Sequence, residues 1–190
     1  SSSQTYSGLD PDTSYYFEVR LATEPEAAFI ANRISAQTQV NDRVLAAALD
    51  NTTFSWTTGG GARWAAQSTA AYYGGSAARS GAIRDLESSH LQAEALGPGV
   101  LSFWWKVSSE QGWDFLAFQI DGSSQPGRIS GEADWARRSF SIPAGLHILK
   151  WEYAKDSIVS AGSDAAWVDK VEMSLSPPEL AETSFLGVGP

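Results

Sequence analysis

The chain contains no cysteine among its 190 residues, which excludes disulfides, thiol catalysis and thiolate metal sites together. Only carboxylates, carbonyls and two histidines remain as metal ligands. Basic residues are also scarce, with 13 Lys and Arg against 22 Asp and Glu for a net charge of -9. The longest basic run is the pair Arg137-Arg138, so nothing here neutralises a phosphate backbone, and nucleic acid is not expected as a partner. Apolar runs fall short of the roughly 20 residues that cross a bilayer, so no membrane insertion is expected. The opening Ser1-Ser2-Ser3-Gln4-Thr5 has no basic stretch followed by an apolar one, which places any export signal upstream.

Apolar surface is plentiful. Hydrophobic residues make up 43% of the chain and aromatics 12%, with eight Trp, enough to oppose the entropy of ordering a fold. Turn residues recur at short intervals, among them Asp10-Pro11, Gly59-Gly60-Gly61, Gly74-Gly75, Gly97-Pro98-Gly99, Asp121-Gly122 and Pro143-Ala144-Gly145. Between them apolar residues alternate, as in Tyr15, Phe17, Val19, Leu21 and again in Leu101, Phe103, Trp105, Val107. Period two with frequent breaks predicts an all-β chain of half-buried strands. Further strands are predicted at 115–120, 138–142, 147–153 and 167–173. The Ala-rich stretch Arg43 to Leu49 is read as a linker or an irregular first strand.

Leu9, Pro11, Thr13, Tyr15, Phe17 and Val19 at steps of two, followed by a turn at Glu24-Pro25-Glu26, resemble the final third of a fibronectin type III domain. The resemblance implies a tyrosine corner, with the Tyr15 hydroxyl bonded to backbone just upstream. Residues 1–39 are therefore read as the C-terminal strands of such a domain. Three strands cannot cover their own apolar face, so the remainder lies upstream or comes from another chain.

Residues 40–175 carry a second pattern: Leu101-Ser102-Phe103-Trp104-Trp105-Lys106-Val107-Ser108-Ser109-Glu110, then Asp114-Phe115-Leu116, Ile120-Asp121-Gly122 and Ala166-Trp167-Val168-Asp169. This resembles a module repeated in large exported bacterial proteins and is similar to MAM domains and galactose-binding-like carbohydrate modules. The resemblance implies a two-sheet antiparallel jelly-roll sandwich with adjacent first and last strands, on a secreted or cell-surface protein. The cysteines of animal MAM domains are absent. Residues 176–190, opening with Pro177-Pro178, read as a linker or the first strand of a following domain.

Catalysis is poorly supplied. His147 lies in an alternating strand, where a structural role is expected. His90 stands beside Ser88 and Ser89 without the Gly-x-Ser-x-Gly turn of a serine nucleophile. Glu110 with Asp114, or Glu132 with Asp134, could be written as glycosidase pairs, but acidic residues at strand ends are the ordinary solvated rim of an acidic sandwich. The expected role is non-catalytic. Asp50 and Asp169, at the start and end of the sandwich, are candidate ligands of a structural calcium, as the MAM-like resemblance also implies, with Asp164 completing the shell. The plainer alternative is that Asp50 caps a turn through an Asx bond and Asp169 accepts backbone N–H groups. Alternation sets Trp104 opposite Phe103 and Trp105 and so on an exposed face. Trp113 and Trp64, on loops beside Asp114 and Arg63, join it as candidate sugar-stacking residues, the alternative being that these rings pack a sheet edge or a neighbouring domain. The expected partners are glycans or neighbouring protein domains. The alternative is self-assembly into a filament or surface layer, with strands from a neighbouring chain completing residues 1–39.

Overall fold

The computed structural model describes residues 14–17, 34–37 and 40–175, with side chains from residue 43 onward. Strand β1 (Ser14–Phe17) pairs antiparallel with β2 (Ile34–Gln37), Tyr15 opposite Ala36. The expected tyrosine-corner hydrogen bond, the apolar stripe through Val19 and Leu21, and the tail 176–190 lie outside the described residues.

The stretch expected to be a linker or an irregular first strand is a helix, α1 (Val40–Ala48). Alanine has the highest helix propensity, and Leu45, Ala46, Ala48 and Leu49 are buried at the spacing of one helical face. The helix ends with two bonds that wind back over its last turn, Asn51 N–H to the Ala46 carbonyl at 2.9 Å and Asp50 N–H to the Ala47 carbonyl at 3.2 Å. This is a Schellman cap, with Asp50 at φ 52° in the left-handed position that glycine usually fills.

The remaining strands are β3 (Trp56–Gly60), β4 (Ala65–Gln67), β5 (Ala77–Arg79), β6 (Ser88–Ser108), β7 (Phe115–Ile120), β8 (Ser123–Ser124), β9 (Glu132–Ala154) and β10 (Ala165–Leu175). All pair antiparallel in the order β4-β5-β10-β6-β9-β7-β8, with β3 also on β6. The long strands β6 and β9 break register together where Gly97-Pro98-Gly99 meets Ile142 to Gly145. At that bend Gly97 lies so close to the Pro143 carbonyl that a Cβ would sit 1.8 Å from its oxygen. No other residue fits there.

The bend turns one ladder into two layers. Leu91 is opposite Trp151 on β9, and a straight β6 would carry Phe103 about 40 Å further along. Instead the Phe103 and Trp151 rings meet edge to face at 5.1 Å. One layer is therefore β3, the first half of β6, the second half of β9, β7 and β8. The other is β4, β5, β10 and the remaining halves. Their inner faces enclose a core of Trp56, Phe103, Trp105, Phe118, Trp151 and Tyr153, in the jelly-roll sandwich that the resemblance implies. No helix among the described residues is long and apolar enough to cross a membrane.

Candidate functional site

Strand β10 carries a bulge between Asp169 and Glu172, with Lys170 at φ 46°. At the bulge, before pairing with β6 resumes at Glu172, the backbone turns to the helix end: Val171 N–H donates to the Leu49 carbonyl at 2.9 Å, and Asn51 Nδ2 donates to the Val171 carbonyl at 3.0 Å. The junction brings Asp50 and Asp169 together, with their carboxyls in hydrogen-bond reach of each other. Asp169 is fully buried. Its Oδ2 accepts from the Tyr72 and Tyr73 N–H groups at 2.6 and 3.0 Å, while Oδ1 has no partner. Burial pushes the Asp169 carboxyl above the usual range, and Asp50 beside it pushes it further. Burial likewise raises Asp50. The 72–74 loop covers the pair, since a Cβ on Gly74 would lie 2.9 Å from Asp50 Oδ1.

Asp164 does not join them. It precedes Asp169 by five residues of nearly continuous strand, about 16 Å, and its oxygens accept from the Tyr153 hydroxyl at 2.8 Å and the Lys155 ammonium at 2.5 Å. The expectation that it completes a shell with Asp50 and Asp169 is therefore corrected.

Two of the expected sugar contacts are corrected as well. Trp64 is 2% exposed and belongs to the core, because the loop after Gly59-Gly60-Gly61 folds inward against β6, where Ser89 Oγ donates to the Ala62 carbonyl at 2.8 Å. Its neighbour Arg63 stays at the surface. Asp114 is fully buried, its Oδ1 accepting from the Asp156 N–H at 3.0 Å. A buried carboxylate cannot face a sugar directly, nor serve with Glu110 as an open glycosidase pair.

Trp104 points outward as alternation requires, but Tyr72 covers it. The two rings stack at 3.6 Å and 14°, with Trp135 tilted against Tyr72 at 6.4 Å. Tyr72 itself is 41% exposed, so the accessible aromatic on this face is the tyrosine. Sequence reasoning missed it. The adjacent Tyr-Tyr pair in a Gly-rich loop was the available signal.

Trp113 is 62% exposed, at the tip of the loop between β6 and β7. It forms one wall of a groove of about 310 Å³ on the outer face of the β3-β6-β9-β7-β8 layer. The groove floor is Phe115, Ala117 and Gln119 from β7 beside Glu152 and Ala154 from β9. Small Ala117 and Ala154 leave a trough between larger neighbours. The Arg128 guanidinium lies 3.7 Å from the Phe115 ring centroid, and Gln119 Nε2 donates to Glu152 Oε2 at 2.8 Å. Glu152 also meets Lys150 at 3.2 Å. The groove thus joins aromatic surface to an ordered polar row, none of whose members apart from Trp113 figured among the sequence candidates.

The histidines lie elsewhere. His147 Nδ1 pairs with Asp121 Oδ2 at 2.7 Å, closing the turn after β7. His90 is half-buried on β6 opposite Gly59, and burial lowers its pKa.

No family model matches the chain, and no curated protein matches it in sequence. Its fold is similar to solved β-sandwich structures. Among them are the secreted serine protease VesC from Vibrio cholerae (16% identity, TM-score 0.48), covering 59% of this chain and 24% of that one, and a cleaved adhesin domain of Lys-gingipain (14%, 0.49), covering 64% and 89%. A carbohydrate-binding module of the β-sandwich superfamily (11%, 0.48) covers 76% of this chain and 68% of its own. The chain spans about a quarter of the length of the Vibrio protease.

Proposed function

We propose that residues 40–175 form a non-catalytic, extracellular glycan-binding module whose binding site is the groove beside Trp113. The carrying observation is the exposed Trp113 standing over a floor of Phe115, Ala117 and Ala154, with Gln119 and Glu152 fixed at hydrogen-bond distance. Sugar rings present flat C–H faces that stack on aromatics and hydroxyls that need paired polar groups, and this groove offers both. Trp64 and Asp114 have no direct part in it, and Trp104 acts by supporting Tyr72. Electrophoresis of the full chain through gels containing soluble polysaccharides tests the reading. Retardation by at least one polysaccharide, lost on Trp113→Ala, is expected; migration unchanged in every gel would contradict it.

Calcium is part of this proposal. Asp50 and Asp169 would hold it, with carbonyls of the loop above them. The chain fits such an ion on two counts. Asp169 keeps a buried oxygen without a partner, and Asp50 occupies a left-handed cap position where glycine is cheaper, which a side chain in use would justify. When bound, the ion supplies the positive charge that two adjacent carboxylates lack, and thereby fixes the loop carrying Tyr72 and Tyr73.

We read residues 1–39 as closing strands of a fibronectin type III domain, supported by the antiparallel pairing of β1 with β2. On this reading the chain is a segment of a multidomain protein in which the sandwich binds and its neighbours space it. Assembly into a filament remains the second reading. Its decisive contacts, around Tyr15 and Val19, lie outside the described side chains.

A further inference from the structure

We propose that Glu110, Asp114 and Asp156 form a second calcium site, separate from the Asp50 and Asp169 pair, at the base of the loop that carries Trp113. One carboxylate oxygen from each of the three residues lies within 4.8 Å of the others. Calcium binds oxygens at about 2.4 Å, so two ligands across its shell stand roughly 4.8 Å apart, and three oxygens this close can share one ion. The cluster contains only oxygen donors, which favours a hard cation over zinc or copper.

Crowded acids alone would not mark a site. The second observation is Asp114, which is 0% exposed. Its Oδ1 is bonded to the Asp156 N–H, and its Oδ2 is buried with no partner, as is Glu110 Oε2. A buried carboxylate oxygen without a donor is costly unless something else neutralises it. The nearby cation is already committed. An ammonium has three hydrogens, and Lys155 Nζ meets Asp164 at 2.5 Å, Ser160 at 2.5 Å and Asp85 at 3.4 Å. None is left for the oxygens of Asp114 and Glu110.

The local backbone is arranged for this convergence. A turn closes on the Glu110 carbonyl, which accepts the Trp113 and Asp114 N–H groups at 3.4 and 3.2 Å and so sets the two acids on one side. Asp156 arrives from the end of β9 through its own N–H bond to Asp114. An ion here would tie β6, β7 and β9 together beneath Trp113. The three acids define this site whether or not the groove binds glycans.

Calorimetric titration of the full chain with calcium chloride, after EDTA treatment, tests the site against Glu110→Gln, Asp156→Asn and Asp50→Asn. Both of the first two replace partly exposed residues and keep side-chain size, and far-UV circular dichroism in EDTA checks that they fold. The expected result is that each lowers the stoichiometry by one calcium per chain, or weakens that event at least tenfold, while Asp50→Asn leaves the same event in place. Calcium binding identical in wild type, Glu110→Gln and Asp156→Asn overturns the proposal, whether or not Asp50→Asn abolishes an event of its own. A second measurement needs no substitution. Manganese as a paramagnetic substitute should broaden the amide signals of Gly112 and Asp156 at substoichiometric amounts, and calcium should restore them. Sharp signals at both positions would equally overturn it.

Discussion

Asp50, the left-handed cap of the first helix, and Asp169, at the bulge of the last strand, hold their carboxyls in hydrogen-bond reach of each other while an Asp169 oxygen lies buried without a donor. Two like charges at the seam between the first and last elements weaken the fold unless a cation joins them. Calcium at about 100 times its dissociation constant should therefore add roughly 2.7 kcal/mol of stability. Asp50→Gly should separate cap from ligand. In EDTA it should be at least as stable as wild type, because glycine takes a positive φ without the roughly 1 kcal/mol penalty of a Cβ. In calcium it should gain less than wild type, because only the Glu110, Asp114 and Asp156 cluster would remain to bind the ion. Thermal melts with and without EDTA check both halves.

The stacked pair Tyr72 and Trp104 gives a second expectation. Tyr72→Ala removes a ring contact of about 0.5–1.5 kcal/mol and uncovers Trp104. A red shift in tryptophan emission, with a slightly lower melting temperature, should accompany it. Unchanged emission would mean that the tyrosine does not shield the indole in solution.

Trp64 and Trp113 should behave oppositely. Trp64→Ala empties a core position and should cost about 3–5 kcal/mol. Trp113→Ala removes a largely exposed ring and should leave stability within about 0.5 kcal/mol of wild type. Denaturant unfolding of both variants makes the comparison.

The pair His147 and Asp121 sets a pH dependence. The hydrogen bond to Asp121 raises the imidazole above its usual 6.5, and the same bond holds the Asp121 carboxyl below its usual 3.8. The histidine contribution is complete below 6.5 and is lost as pH rises through the raised value. The aspartate contribution is complete above 3.8 and is lost as pH falls through the lowered one. The pair should thus stabilise most between about pH 4 and 6.5. An NMR titration of His147 should show a midpoint above 6.5 in wild type and a return toward that value in Asp121→Asn.

Much of the sandwich was legible in the sequence because its central strands alternate cleanly. Leu101, Phe103, Trp105 and Val107 are all buried on one face, as the pattern requires. Several unpredicted strands carry small side chains at their buried positions, although β3 buries Trp56. Ala93 and Ala95 in the first half of β6, and Ala77 and Ala78 in β5, give alternation little amplitude. In β9 the extra residues at Pro143-Ala144-Gly145 flip the inward parity from Phe140 and Ile142 to Leu149, Trp151 and Tyr153, so one strand reads as two. The Ala-rich helix reads as a linker or an irregular strand because its apolar face is short. At the sites, adjacency of Asp50 and Asp169 followed from adjacency of the terminal elements. The fates of Trp64 and Asp114 did not, since a Gly-rich loop can fold inward or outward and sequence does not say which. The groove floor, drawn from alternate residues of β7 and β9, becomes visible only once register is known.

The central claim is that the Trp113 groove binds glycans, and the most direct measurement is a glycan array probed in parallel with wild type, Trp113→Ala and Gln119→Ala. The account predicts that wild type binds a structurally related set of glycans and that Trp113→Ala and Gln119→Ala each weaken that binding at least tenfold, about 1.4 kcal/mol. Wild type that binds no glycan, or binding that both substitutions leave intact, would contradict it.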